Sequence, residues 1–221
     1  MNIQWYGQSC FKMQSGDVTV ITDPFDKKIG LTPPRGKTDI VLSSHSHDDH
    51  DNLDSFDGSF VIKYACEYEV KGVIIRGISS FHDNEGGKKC GSNNIYVINI
   101  EGINICHLGD LGQKELTPEQ VDAIGNVDIL MTPVGGDYLL DKEELNILDA
   151  EGAKKIINQI EPRIVIPMHY QIDGLNLKME SLEKFSKITG ASEKDAVSKY
   201  SIKRKDLPSQ EEPQFVIMKL D

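Results

Sequence analysis

His45, Ser46, His47, Asp48, Asp49 and His50 form an H-x-H-x-D-H run, and any fold of this chain has to accommodate it. Half of the six histidines lie within this run. The run follows Asp39-Ile40-Val41-Leu42-Ser43-Ser44, which reads as a buried strand ending in small polar residues. A strand end fixes the backbone yet lets side chains reach a solvent-facing loop. Imidazoles beside a carboxylate suit zinc, and iron and manganese are also compatible. A solvated polar loop is the bland alternative. So dense a histidine cluster is poorly explained as surface chance and well explained as a metal site.

The rest of the composition narrows the class. The chain has 221 residues and no proline- or glycine-rich linker, so one domain over residues 1–221 is expected. A hydrophobic content of 38% supports a real core. The net charge of −11 argues against non-specific binding to nucleic acid or to an anionic membrane. A phosphorylated substrate stays compatible, because a metal can supply local positive charge. No apolar run approaches the roughly 18 residues of a membrane span. Met1 to Trp5 shows no basic region followed by an apolar stretch. The four cysteines, Cys10, Cys66, Cys90 and Cys106, fit no C-x-x-C pattern and read as reduced thiols. The expected setting is the cytoplasm and the expected partner a small molecule. An interface face and a core face look alike in one sequence, so the pattern fixes no oligomeric state.

Short strands dominate the first half. Ile3 to Tyr6, Cys10 to Gln14, Val18 to Thr22, Asp39 to Leu42, Phe60 to Lys63 and Val73 to Ile75 all read as strands. Asn94 to Ile100 and Ile103 to His107 form a hairpin through Glu101-Gly102. Thr117-Pro118-Glu119-Gln120 predicts a capped helix that ends near Gly125. Asp128 to Thr132 and Arg163 to Pro167 read as buried strands, with a helix over Asp149 to Ile160 between them. Lys178 to Ile188 and Ser192 to Tyr200 are expected to be helical, and Phe215 to Lys219 to be a closing strand. Strand-rich early and alternating later, the pattern implies an α/β domain with helices covering packed sheets.

Further polar residues terminate strands. These are Asp23 in Val20-Ile21-Thr22-Asp23-Pro24, His82 in Ser79-Ser80-Phe81-His82-Asp83, Asp110 in His107-Leu108-Gly109-Asp110-Leu111-Gly112, and His169 after Ile166-Pro167-Met168. Strand ends are where α/β sheets usually build sites. Singly, each has a plainer explanation. A lone histidine is more often a hydrogen-bonded structural residue, and Asp23 before a proline is often a turn residue. Their shared position at strand ends lifts the set.

In that order the set resembles the metallo-β-lactamase superfamily, over residues 1 to about 170. Ser80-Phe81-His82-Asp83, His107-Leu108-Gly109-Asp110-Leu111-Gly112, Pro133-Val134-Gly135-Gly136 and Ile166-Pro167-Met168-His169-Tyr170 resemble a branch of prokaryotic metal-dependent hydrolases. Relatives of that branch include lactonase-like enzymes. The resemblance implies a four-layer αββα sandwich with metals at one edge of the two sheets. It implies one ion on His45, His47 and His82 and a second on Asp49, His50 and His169, with Asp110 between them. Asp23 would orient ligand histidines through hydrogen bonds. His107 competes with His82 for the first ion; the family pattern favours His82 and leaves His107 as either a satisfied strand histidine or a catalytic group. The segment Trp5-Tyr6-Gly7-Gln8-Ser9-Cys10-Phe11 departs from the pattern, with Gln8 where relatives often carry histidine.

The resemblance implies a hydrolase with two divalent ions, zinc being preferred and manganese or iron possible. They would lie roughly 3.5–4 Å apart and share a hydroxide that attacks an ester-type substrate, a lactone or a phosphodiester. Asp49 and Asp110 would offset the cationic charge. A bound water, His107 and Asp83 are the candidate acids for the leaving group. Tyr170 and the Pro133–Tyr138 loop, through the amides of Gly135 and Gly136, are expected to contact substrate. A metal-stabilised binding or regulatory domain of the same fold, without turnover, is the alternative.

Overall fold

The structure is a computed structural model and describes residues 1–140 and 143–220. Its strands in chain order are β1 (Asn2–Gly7), β2 (Cys10–Ser15), β3 (Val18–Thr22), β4 (Ile40–Leu42), β5 (Phe60–Ile62), β6 (Glu67–Val70), β7 (Val73–Phe81), β8 (Ser92–Ile100) and β9 (Ile103–His107). Then follow helix α1 (Pro118–Ile124), β10 (Ile129–Pro133), β11 (Tyr138–Leu140), β12 (Glu143–Leu145), α2 (Ala150–Ile160), β13 (Ile164–Met168), α3 (Glu183–Thr189), β14 (Lys199–Ser201) and β15 (Gln214–Phe215). They form one sheet in the order β14-β1-β2-β3-β4-β5 and a second in the order β15-β13-β10-β9-β8-β7-β6, with β11 and β12 as a separate hairpin.

Alternation places the layers. In β3, Val20 enters the large core between the sheets while Ile21 faces the opposite side; in β4, Ile40 and Leu42 point inward and Val41 outward. The outward residues meet Phe25, Ile29, Leu31 and Phe56, from loops and single 3₁₀ turns that cover this face. The middle of the second sheet is apolar on both faces. β8 buries Ile95, Tyr96, Val97 and Ile98 in an unbroken run, and α1 and α2 pack on the sheet against β7 and β10. The two sheets and their outer layers match the expected α/β sandwich, with thin, loop-built cover on the first sheet.

Local chemistry accounts for the clearest elements. Thr117 accepts from the Gln120 amide while the Gln120 side chain accepts from the Thr117 amide, a capping box followed by Pro118 in the first turn. Asp149 caps α2 through the Gly152 amide. Glu101 and Gly102 both take positive φ, 54° and 74°, as a tight β8–β9 hairpin requires.

The closing strand is shorter than expected, Gln214–Phe215 rather than Phe215 to Lys219, with Met218 in a single bridge to Val197. Three further segments differ from expectation for long-range reasons. β7 runs to Phe81 rather than Ile75, since β8 supplies a partner for Gly77, Ser79 and Ser80 despite their weak strand propensity. Ser192 to Tyr200 is not a helix. It is a 3₁₀ turn at Glu193–Asp195 and then edge strand β14, drawn out by pairing of Tyr200 with Ile3 and of Ser201 with Asn2. α3 starts at Glu183 rather than Lys178, because the preceding residues bond to other loops, the Glu180 amide to Gly135 O and Ser181 bridging Gln171.

Strand direction decides where a site can form. β3 and β4 are parallel, so their carboxyl ends share a rim. β7 and β9 are each antiparallel to β8, hence parallel to one another, and β9, β10 and β13 run parallel. Gly112 closes this rim over the end of β7. Its amide donates to Phe81 O at 3.0 Å, and a Cβ there would lie 2.5 Å from Asp83 N and 2.6 Å from the backbone of both Asp83 and His82. We therefore expect Gly112→Ala to destabilise the fold by about 1–3 kcal/mol in denaturant melts, since backbone is what must move. Wild-type stability would show that this approach is slack.

Candidate metal centre

The rim gathers the strand-end residues into two groups of donors. His45, His47 and His82 offer ring nitrogens that all lie within 4.8 Å of one another, and Asp49, His50, Asp110 and His169 form a second such group. His45, His47, Asp49 and His50 come from the loop after β4, His82 follows β7, Asp110 follows β9, and His169 follows β13. Asp49, His50, His82, Asp110 and His169 are fully buried, while His47 is half-buried.

Asp110 stands between the groups. Its Oδ2 lies 3.3 Å from His82 Nε2 and 4.0 Å from His45 Nε2 on one side, and 3.2 Å from both His50 Nε2 and His169 Nε2 on the other. Gly109 makes the turn possible. It has φ 56°, and a Cβ would collide with Asn93 Oδ1 and lie 2.6 Å from Ser44 Cβ. Asn93 in turn accepts from the Asp110 amide at 3.0 Å and donates to Leu108 O at 2.9 Å.

Hydrogen bonds fix how the rings present themselves. His82 Nδ1 lies 3.1 Å from Asn146 O, which can only accept, so Nδ1 carries a proton and Nε2 faces the site. Asp23 accepts from the Ser44 amide at 2.7 Å, from the Ser44 hydroxyl at 2.8 Å and from His50 Nδ1 at 3.1 Å. With its own proton committed to Asp23, Ser44 Oγ accepts from His45 Nδ1 at 2.9 Å. Asp23 thus orients His50 directly and His45 through Ser44, the outer support that metal ligands need.

A cation fits this donor set. His45 Nε2, His47 Nδ1 and His82 Nε2 are buried nitrogens with no hydrogen-bond partner, a costly arrangement unless an acceptor of lone pairs joins them. Burial pushes His45 and His47 down, so both rings are neutral and able to ligate. In the second group, burial pushes Asp49 and Asp110 up, but His50 and His169 outweigh it and hold both carboxyls well below the ordinary range. Burial likewise lowers His50 and His169, but Asp110 and neighbouring carboxylates hold them raised. The two buried carboxylates are thus paired with the raised His50 and His169 rings, and a cation bound there would take over that pairing as the ring protons leave.

Several residues stand elsewhere than sequence reasoning put them. His107 is not available as an acid: Nε2 donates to Ser9 O at 2.8 Å, Nδ1 accepts from the Gly109 amide at 3.2 Å, and burial lowers its pKa. It is a satisfied strand histidine that ties β9 to the β1–β2 turn. Asp83 is not an acid either, since each of its oxygens accepts two backbone N–H groups, from Glu85 and Gly87 and from Lys89 and Cys90. Tyr170 points into the core, 5.1 Å from the Trp5 ring, and its hydroxyl donates to Met218 O. The Gly136 amide is spent on Leu148 O, and Gly135 serves close packing, because a Cβ there would strike His169 O. The Gly136 amide is therefore not free for the expected oxyanion contact.

Tyr138 is the residue that reasoning missed. It arrives on β11, is buried, and its hydroxyl donates to Asp110 Oδ2 at 2.9 Å. Burial, then Asp110 and Asp49, push its phenol well above the usual value, so it keeps its proton. Ser9, whose hydroxyl lies 3.3 Å from Asp110 Oδ1, completes the cradle. The only sequence signal for Tyr138 was its place at the end of the Pro133–Tyr138 loop.

The model of the β-lactamase superfamily domain matches residues 2–169, a span that contains every donor described above. The chain belongs to the metallo-β-lactamase superfamily. A metal-dependent hydrolase of Thermoplasma acidophilum is 29% identical to this superfamily member, over 86% of this chain and 91% of the relative. One from Thermococcus kodakarensis is 24% identical over 77% and 84%. A candidate zinc-dependent hydrolase of the same superfamily from Thermotoga maritima superposes with a TM-score of 0.77 at 32% identity, covering 100% of this chain and 99% of its own.

The Asp83 cage gives a test of how the rim is held. Burial raises this carboxyl, but the four amides outweigh it and lower it to about 2. A depressed carboxyl stabilises the fold above its unfolded pKa of about 4, and the gain disappears as pH falls through about 2. We expect Asp83→Asn to cost about 2–3 kcal/mol at pH 7, because an amide can serve only part of the cage. The difference from wild type should shrink between about pH 4 and 2 in urea melts. A pH-independent difference would contradict this.

Proposed function

We propose that the protein is a metal-dependent hydrolase that holds two divalent cations, zinc being the best suited, and cleaves a small ester-type substrate, a lactone or a phosphodiester. The observation that carries this is Asp110 Oδ2, which lies about equally close to ring nitrogens of both donor groups, 3.3 Å from His82 and 3.2 Å from His50. His45, His47 and His82 would hold one ion, Asp49, His50 and His169 the other, and Asp110 would contribute to both. The metal-dependent and zinc-dependent relatives support the same reading. Cations held by these residues would supply Lewis acidity and would lower the pKa of a bound water toward about 7.

The protein's own groups then have defined work. Asp49 and Asp110 offset cationic charge, and Asp23 and Asn146 hold the protons of His50 and His82 on the side away from the ions. Tyr138 keeps a proton beside Asp110 and can donate a hydrogen bond at the floor of the site. His45 and His47 line one wall of a cleft of about 690 Å³ that also includes Ser46, Lys63, Tyr64 and Asn94. None of the cleft's described lining residues is acidic, although the chain carries 35 Asp and Glu. Such a lining favours substrates that develop negative charge on oxygen. A closed structural metal site would have no use for this opening. The cleft and the acidic net charge favour a small molecule over nucleic acid.

The test is metal content measured together with hydrolysis of a panel, lactones beside bis-p-nitrophenyl phosphate, for wild type, His50→Ala and Asp110→Ala. We expect about two ions per chain in wild type, and in either variant loss of metal with a fall in kcat/KM of about a hundredfold or more. Full metal loading without turnover on any member of the panel would contradict the hydrolase assignment.

A further inference from the structure

We propose that Gln8 is an additional donor to the second cation, through its side-chain amide oxygen, and that it biases that position toward cations preferring oxygen-rich, higher coordination, such as Mn²⁺. The inference rests on the two-cation reading above.

Gln8 is fully buried in the turn between β1 and β2, with a left-handed backbone, φ 47°. Its carbonyl accepts from Trp5 Nε1 at 2.8 Å and from the His169 amide at 3.2 Å. The residue is therefore locked to the backbone of a donor that is itself left-handed, His169 at φ 52°. Strain of this kind gathers where a site has to be built.

The side chain ends among the donors. Gln8 Nε2 lies 3.1 Å from His169 Nε2 and 3.4 Å from Asp49 Oδ2. Those spacings match the ones within the group itself: 3.3 Å between His50 Nε2 and His169 Nε2, and 3.4 Å between His50 Nε2 and Asp49 Oδ2. Donors about 2.0–2.2 Å from a shared cation stand roughly 3 Å or slightly more apart, so the end of the amide occupies a donor position. Gln8 Oε1 is buried without a hydrogen-bond partner. An N–H turned toward a divalent cation is repelled, whereas a carbonyl oxygen is attracted. A half-turn about Cγ–Cδ exchanges the two ends and leaves the locked backbone in place.

The two groups then differ in kind. The first is three imidazoles, which suits zinc. The second would combine Asp49, Asp110 and an amide oxygen with His50 and His169, a harder set that suits Mn²⁺.

The experiment titrates metal-free protein with Zn²⁺ and Mn²⁺ by chelator competition, reads bound Mn²⁺ by electron paramagnetic resonance, and records Co²⁺ absorption for coordination number. Wild type, Gln8→Ala and Gln8→Glu are compared, with circular dichroism as the check on folding. We expect Gln8→Ala to weaken Mn²⁺ at the second position about 10–100-fold while leaving the first Zn²⁺ unchanged, and Gln8→Glu to restore Mn²⁺ binding. Co²⁺ at the second position should absorb more strongly in Gln8→Ala, as coordination number falls. Two cations bound by Gln8→Ala with wild-type affinity and spectrum would overturn the role of Gln8 alone. Wild type that takes up one cation or none would overturn the two-cation reading and this inference with it. If Gln8→Ala fails to fold, Gln8→Glu still decides: Mn²⁺ binding weaker than wild type overturns the proposal.

Discussion

Every donor at this rim stands on a strand that points its carboxyl end the same way. β3 and β4 do so in one sheet, β7, β9 and β13 in the other, and the core between the sheets brings the two sets of ends face to face. The hydrophobic effect thus does the coarse positioning. Burying Ile40, Leu42, Ile105 and Ile166 fixes the strands, and the polar residues that follow each strand have nowhere to go but the common edge. Reversing one strand would carry its donor to the far end of the sandwich.

Fine positioning is the work of a few buried polar groups. Asp23 collects the Ser44 amide and hydroxyl and the ring proton of His50, so one carboxylate aligns the first loop. Tyr96 donates to Ser43 O and Asn94 to Ser44 O, which pins that loop to the opposite sheet. Asn93, on the neighbouring strand β8, holds the Asp110 amide within the second sheet. These partners are satisfied within the protein, whereas nitrogens of the first donor group are not, and that contrast distinguishes a scaffold from a binding site. Three of the non-glycine residues with positive φ, Gln8, Asp23 and His169, belong to this edge, so backbone strain is concentrated where the donors converge.

Much of this was readable from the chain. The H-x-H-x-D-H loop, Asp110, His169 and Asp23 announce themselves because each follows an apolar β-branched run, and such runs end at a sheet edge whatever their partners; His82 follows Ser79 and Ser80, which become strand through pairing with β8. Their order along the chain carried the family. What was not readable depends on which distant segments meet. His107 and Asp83 look like acids until their backbone partners are seen. Tyr170 adjoins a donor in sequence but points the opposite way, into the core. Tyr138 comes in on a hairpin too short to register as structure, and its partner strand β12 carries the pattern Glu-Glu-Leu, with little apolar signal. β14 reads locally as helix and becomes strand only because β1 leaves an edge to pair with. Gln8 was visible as a departure from the family pattern, yet its contact with Asp49 and His169 needed the fold.

The central claim is that one carboxylate, Asp110, joins two cation positions into a single centre. X-ray absorption spectroscopy of protein loaded with two equivalents of zinc tests it most directly. A metal–metal scattering path at roughly 3.5–4 Å, lost in Asp110→Ala, is the predicted result. Zinc bound with no metal–metal path would contradict the account, since the two groups would then act as separate sites.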